Sequence, residues 1–212
     1  MAMDINATRA LAASRLRAKQ VNQNIPSFAE AALAVARFVR KNGYQAIIMS
    51  GRSSLIPREL FLSAWRALFP SISPPTIYNF GDEGNFRLYK GQLDMAERVK
   101  SVQSYIDAHL PDLNGRRREK VCFVDDCALA GGKYNGLRGI FEKLGFSSID
   151  FAYLAAVPTF EHRAQDYVAA KDPEIARTLL TLAKDVGRSE PEMDCRDIIQ
   201  RTIAIIEMKA AA

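Results

Sequence analysis

Hydrophobic positions recur along this chain with two periods, and the two periods alternate. Phe28, Ala32, Val35, Phe38 and Val39 return every three or four residues. They line one face of a helix over 26–42, opened by Pro26 and Ser27 and stopped at Asn42-Gly43. A separate helix is predicted before it, over 5–20. "YQAIIM", residues 44–49, is apolar without helical gaps and reads as a strand. The polar turn "SGRSSLIP" then leads into a helix with Pro57 in its first turn and Leu60, Phe61, Ala64, Trp65 and Leu68 on one face, up to Pro70. After the loop "SISPP", Thr76 to Phe80 forms a second strand, broken by "GDEGN".

From Gly91 to Leu110 the helical period returns, with Leu93, Ala96, Val99, Val102 and Ile106 inward. "PDLNGRRRE" leads to the apolar run "KVCFV", which ends abruptly in Asp125 and Asp126. A helix over 134–144 follows, capped by Gly145, then the nearly all-apolar strand 149–157. From Glu161 on the pattern reads as helices, with breaks at Asp172-Pro173 and "GRSEPE". Apolar strands each followed by a helix predict an α/β fold, a parallel sheet covered on both faces. Ligands of such sheets bind outside the carboxyl ends of the strands. Two polar loops fall at such ends, 50–57 and 125–133, and as neighbours they can form one site.

Length and composition narrow the class. The 212 residues suffice for one sizeable core, and no apolar run is long enough for a membrane span. "MAMDINATRALAASRLRAKQ" mixes Asp, Arg and Lys and is not a secretory signal. The net charge of +5 suits anionic small molecules as well as nucleic acid. Cys122, Cys127 and Cys195 form no CxxC pair, and His109 and His162 make no ligand spacing with them. The expectation is reduced thiols in a cytoplasmic protein without a zinc site.

The acid pair carries the clearest chemistry. Adjacent carboxylates are tolerable in water, or where a cation or hydroxyl donors satisfy them. Vicinal sugar hydroxyls and metal-bound water are suitable partners. The small residues Ala128, Leu129, Ala130, Gly131 and Gly132, ending in Lys133, precede a helix whose first amides favour an anion. Acid pair and phosphate cradle together outline a sugar-phosphate site; the plainer alternative is a solvated pair with glycines that merely tighten a turn. In the upstream loop Gly51 permits close approach to a ligand, Arg52 offers a fork for phosphate, and Ser53 and Ser54 offer hydroxyls. Alternatively Ser53 or Ser54 caps the following helix. Trp65 and the Phe28/Phe38 stripe read as core, and "RRR" at 116–118 as a solvated face.

"VCFVDDCALAGGK" resembles the phosphoribosyl pyrophosphate motif of type I phosphoribosyltransferases, and "SGRSSLIPRELFLSAW" is similar to the same family's earlier loop. The resemblance spans about residues 44 to 158. It implies a phosphoribosyltransferase-like core over 44–158 with a mobile insertion at 81–118, an N-terminal helical segment, 1–43, able to form part of a hood, and a C-terminal helical segment, 159–212. It implies Mg2+ as cofactor, with Asp125 and Asp126 as the acidic pair holding ribose and, mostly through water, the metal. Ala128 to Lys133 would hold the 5′-phosphate and Gly51 to Ser54 the pyrophosphate; Arg87 and Lys90 are the mobile-loop candidates. Phe160, Glu161 and His162 follow the last strand, where they either approach a base or are structural. A homodimer is the family expectation, and neither a membrane nor nucleic acid is an expected partner. The sequence departs from the pattern at Leu129 and Gly132, where relatives carry hydroxyls, and at Ser53-Ser54, where some carry glycines. Those departures keep a second reading open: a binding protein that senses phosphoribosyl pyrophosphate or a nucleotide without turning it over. A third class, a magnesium phosphatase of another α/β family, lacks a recognisable nucleophile here, and "GGKY" lacks the spacing of a P-loop.

Overall fold

The computed structural model describes residues 5–49, 51, 54–81, 84, 88, 94–128, 131–159, 166–186 and 195–212, as backbone only at 5–15, 17, 131–134 and 184–185. In chain order the elements are α1 (Ile5–Asn42), β1 (Ala46–Met49), α2 (Leu55–Leu68), β2 (Thr76–Asn79), α3 (Met95–His109), α4 (Pro111–Gly115), β3 (Lys120–Ala128), α5 (Gly131–Lys143), β4 (Ser148–Ala156), β5 (Tyr167–Ala170), α6 (Pro173–Asp185) and α7 (Cys195–Ala211). The five strands form one sheet in the order β2-β1-β3-β4-β5, with every neighbouring pair parallel. This is the expected α/β class, with helices on both faces and added N- and C-terminal helices.

Burial explains the topology. All four residues of β1 are buried, as a strand covered on both faces requires. One face, with Ile47, Met49, Cys122 and Val124, packs on α1, α2, α6 and α7. The other, with Ile48, Phe123 and Phe151, packs on α3 and α5 through Val102, Ile106, Ile140 and Phe141. Phe123 and Phe151 stack across β3 and β4 at 5.3 Å between ring centres. Among the described residues no helix is long and apolar enough to cross a membrane.

Three of the elements that differ from expectation have a clear physical reason. The two predicted N-terminal helices are one 38-residue helix, with Pro26 inside it. Proline removes one backbone donor and typically costs about 3 kcal/mol in a helix interior. Pro26 lies on the exposed face, so the carbonyl it leaves can turn to water, while Val21, Ile25, Phe28 and Ala29 are buried on either side of it. The helix after the insertion begins at Met95 rather than Gly91, because Asp94 caps it by accepting a 2.8 Å bond from the Glu97 amide. The edge strand β5 lies in the stretch read as helical. All its residues are half-buried, and Asp166 pins its start by accepting from the Phe151 amide at 2.9 Å.

Candidate functional site

The strand order places one boundary apart from the others. From β1 the chain runs outward to β2, then returns across β1 to lay β3 on its other side. The reversal lies between β1 and β3, and a crevice outside the carboxyl ends of the strands opens at such a switch point. Ile48 is registered with Phe123, so the chain leaves β1 at the height of the acid pair. The two loops singled out from the sequence are the loops of this switch point.

On the β1 side, Gly51 is buried with φ of 76°, in the left-handed region where a side chain is strained. Its carbonyl accepts both donors of Ser54, the amide at 3.2 Å and the hydroxyl at 2.6 Å. Ser54 occupies the N-cap position of α2 but makes no side-chain cap bond. Its hydroxyl is thus committed to the loop itself, neither capping the helix nor turned toward a ligand. Asn79, at the carboxyl end of β2, stands behind it: Asn79 Oδ1 lies 3.4 Å from Ser54 Oγ and accepts from the Gly81 amide at 3.0 Å. Sequence reasoning missed Asn79; the only signal was a polar residue at the third strand end. Arg52 and Ser53 lie outside the described residues.

On the β3 side, the strand continues through Asp125 and Asp126 to Ala128, where the Val157 amide donates to the Ala128 carbonyl at 3.2 Å. Successive strand residues leave opposite faces. The two carboxylates curl forward along the strand instead of diverging: Asp125 Oδ1 accepts from the Asp126 amide at 2.9 Å, and Asp126 Oδ1 from the Cys127 amide at 2.7 Å. Asp125 is half-buried and Asp126 buried. Burial raises the Asp126 carboxyl above its ordinary range, against the lowering effect of hydrogen bonds from the Cys127 amide and with Asp125. Among the described residues no guanidinium or ammonium faces Asp126.

Gly131, Gly132 and Lys133 form the first turn of α5, directly after this strand. The free amides of that turn therefore begin at the carboxyl edge. Leu129, Ala130 and the Lys133 side chain lie outside the described residues, as do Arg87, Lys90, Phe160, Glu161 and His162. Of the 116–118 run, Arg116 is engaged by Glu119 at 2.8 Å and Arg117 by Asn114 at 2.6 Å, as a structural face would be.

A divalent cation fits the donor set. Two adjacent carboxylates, one of them buried, are hard oxygen ligands that a cation would relieve of mutual repulsion. Among the described residues no third acid, histidine or cysteine joins them. The remaining ligands would be water or substrate oxygens. Cys122, on the same strand, has its thiol pushed up by burial and then by Asp150 and Asp166, which marks it as core.

Comparison with known proteins gives remote likenesses. No family model and no curated protein matches the chain. A purine phosphoribosyltransferase from Pyrococcus horikoshii is 19% identical over 70% of this chain and 80% of its own, with a TM-score of 0.40. The Schistosoma mansoni hypoxanthine-guanine phosphoribosyltransferase, solved with IMP, is 12% identical over 69% of this chain and 64% of its own, at 0.42. A phosphoheptose isomerase from Francisella tularensis is 12% identical over 98% of this chain and 100% of its own, at 0.43. At these values the likeness assigns no role to any residue.

Proposed function

We propose that the protein binds phosphoribosyl pyrophosphate at the β1/β3 switch point and transfers its phosphoribosyl group to a nitrogen base with release of pyrophosphate. The observation that carries this reading is the meeting, at one edge, of the Gly51 turn and a carboxylate pair backed by a glycine-rich helix start. Asp125 and Asp126 accept from the ribose hydroxyls, directly or through the water of a magnesium ion. The first amides of α5 take the 5′-phosphate. The Gly51 loop takes the pyrophosphate through Arg52 and Ser53, because both donors of Ser54 already serve Gly51. In the reaction the bond from the anomeric carbon to pyrophosphate breaks, a bond to the base nitrogen forms, and the base loses a proton. Magnesium would supply charge neutralisation of the leaving pyrophosphate. The chain's own contribution is placement: it holds the sugar by its hydroxyls and 5′-phosphate while positive charge develops at the anomeric carbon.

A second reading is favoured by one observation. The only hydroxyl described in the β1 loop turns inward, and Leu129 and Gly132 stand where relatives carry hydroxyls. A site with so few hydroxyl donors can hold a ligand on backbone amides and stabilise a transition state poorly. The protein would then sense phosphoribosyl pyrophosphate or a nucleotide without turning it over.

Calorimetry with phosphoribosyl pyrophosphate and Mg2+, joined to pyrophosphate release over a panel of bases, separates the two. Binding with release against one base establishes the transferase; binding with none establishes the sensor. Absence of binding, with Asp125→Asn/Asp126→Asn indistinguishable from the parent, overturns both.

A further inference from the structure

Hollows outside the switch point differ in charge. The cavity at the amino edge of the sheet is lined by Lys120 and Arg138 and also by Glu142 and Asp150. The hollow between α1 and α6 is lined by Arg177 and Glu174. Each of these balances its own charges. A groove of about 400 Å3 between α3 and the end of α5 does not: Lys100, Arg117 and Lys143 line it, and no acid does. The rest of its lining is Gln103 and the apolar Ala96, Val99 and Leu144.

Arg117 is held in place without being neutralised. Its guanidinium donates to Asn114 Oδ1 at 2.6 Å and to Gln103 Oε1. Asp107 accepts from the amide nitrogens of the same two side chains, at 2.5 Å from Gln103 and 2.9 Å from Asn114, which turns their oxygens onto Arg117. The Arg117 carbonyl in turn accepts from the Ser147 amide at 2.9 Å. Among the described residues no carboxylate lies within ion-pair distance of Arg117, whereas its neighbour Arg116 has Glu119 at 2.8 Å. Lys100 and Lys143 are exposed. The acids nearest them in sequence, Glu97 and Glu142, do not line the groove.

Three like charges gathered without an acid are relieved by an anion. A guanidinium fork beside two ammonium groups matches the oxygens of a phosphate. The volume falls in the range of small-molecule sites, roughly 300–1,000 Å3, and the apolar residues offer contact to the body of such a molecule. We propose that the α3–α5 groove is a second ligand site, for a small organic phosphate of nucleotide size, with Arg117 as its fixed anchor and Lys100 and Lys143 as further counter-charges. The site is separate from the switch point: α5 begins there at Gly131 and ends at the groove with Lys143, about 20 Å away. It stands independently of the phosphoribosyl reading.

The test titrates the isotope-labelled full chain with adenosine 5′-monophosphate, without Mg2+, and follows backbone amides by NMR. The amides of Val99, Gln103, Arg117 and Leu144 are expected to shift along one saturating curve. Lys100→Gln/Lys143→Gln changes two exposed side chains and leaves the core intact. It should weaken that curve about three- to thirtyfold, for the loss of two surface ion pairs. Adenosine, which lacks the phosphate, should leave these amides unmoved where the monophosphate saturates them. Amides at the end of β3 report the switch point separately, so a failure there does not decide the groove. The proposal falls if the groove amides do not shift, if the double variant binds as tightly as the parent, or if adenosine shifts them equally. Inorganic phosphate that binds as tightly as the monophosphate marks an adventitious ion only, and a tetraglutamate peptide that binds more tightly marks a protein partner; either overturns the proposal.

Discussion

Two buried aspartates belong to this sheet, and the fold surrounds them differently. Asp166, at the amino end of β5, accepts from the Arg138 guanidinium at 2.5 Å and from the Phe151 amide at 2.9 Å. Arg138 in turn donates to the Ile149 carbonyl at 3.0 Å and lies 5.0 Å over the Phe151 ring. Asp126, at the carboxyl end of β3, meets the Cys127 amide and side chain and the Asp125 carboxyl, and no cation among the described residues. A cavity of about 350 Å3 opens beside the first, lined by Tyr44, Lys120, Arg138 and Asp150 among others. Room alone therefore does not mark the site. A buried acid given its own cation and donors is a structural fixture, whereas a buried acid with no cation beside it among the described residues is a candidate for binding one from outside.

That contrast breaks most visibly at Arg138. Arg138→Leu strands a buried carboxylate and is expected to cost about 3–5 kcal/mol of stability in urea unfolding. A loss below about 1 kcal/mol would mean that Asp166 is no better compensated than Asp126. At the other end the signs should part. Asp126→Asn should weaken binding of phosphoribosyl pyrophosphate with Mg2+ about ten- to a hundredfold in calorimetry, since bonds to a charged group are lost. It should leave the unfolding midpoint at neutral pH unchanged or higher, because a neutral amide replaces a carboxyl whose charged form burial disfavours.

The pH dependence sharpens the same point. Burial in the folded state raises the Asp126 carboxyl above its ordinary range. It therefore binds a proton more tightly than the unfolded chain does, and the stability gained this way is complete at low pH and lost as pH rises through the raised folded value. The stability of Asp126→Asn relative to the parent should accordingly climb as pH increases above about 4. Titration of urea midpoints with pH measures it, and a flat difference would remove the burial argument. Cation binding should strengthen over the same interval, because binding displaces that proton. The smallest effect belongs to the amino edge. Tyr44 donates to Asp150 at 2.7 Å, with its phenol pushed up by burial and then by that bond. Tyr44→Phe should cost about 1 kcal/mol and leave ligand binding untouched.

β1, β3 and β4 were legible because each is an apolar run that the core covers on both faces, so composition and burial coincide. The candidate loops were legible for a related reason: Asp125 and Asp126 interrupt such a run with two adjacent like charges. β5 was hidden because four half-buried residues carry little pattern, and its place is set by a distant ion pair, Arg138 with Asp166. α1 looked like two helices because Pro26 is a local breaker, while the burial that overrides it is tertiary. Ser54 was read as a cap or a ligand; its hydroxyl instead closes onto a carbonyl three residues back, a choice that depends on the positive φ of Gly51. Asn79 comes within 3.4 Å of Ser54 Oγ because the sheet order sets β2 beside β1.

The two outermost strands, β2 and β5, are only four residues long. An open strand edge is the template on which foreign chains add and aggregates grow, and its length sets how many bonds such an addition can make. Here β2 ends at an exposed asparagine, and β5 is flanked by the Phe38–Tyr167 stack at 4.6 Å. The sheet keeps its long strands inside and offers the outside little on which to polymerise.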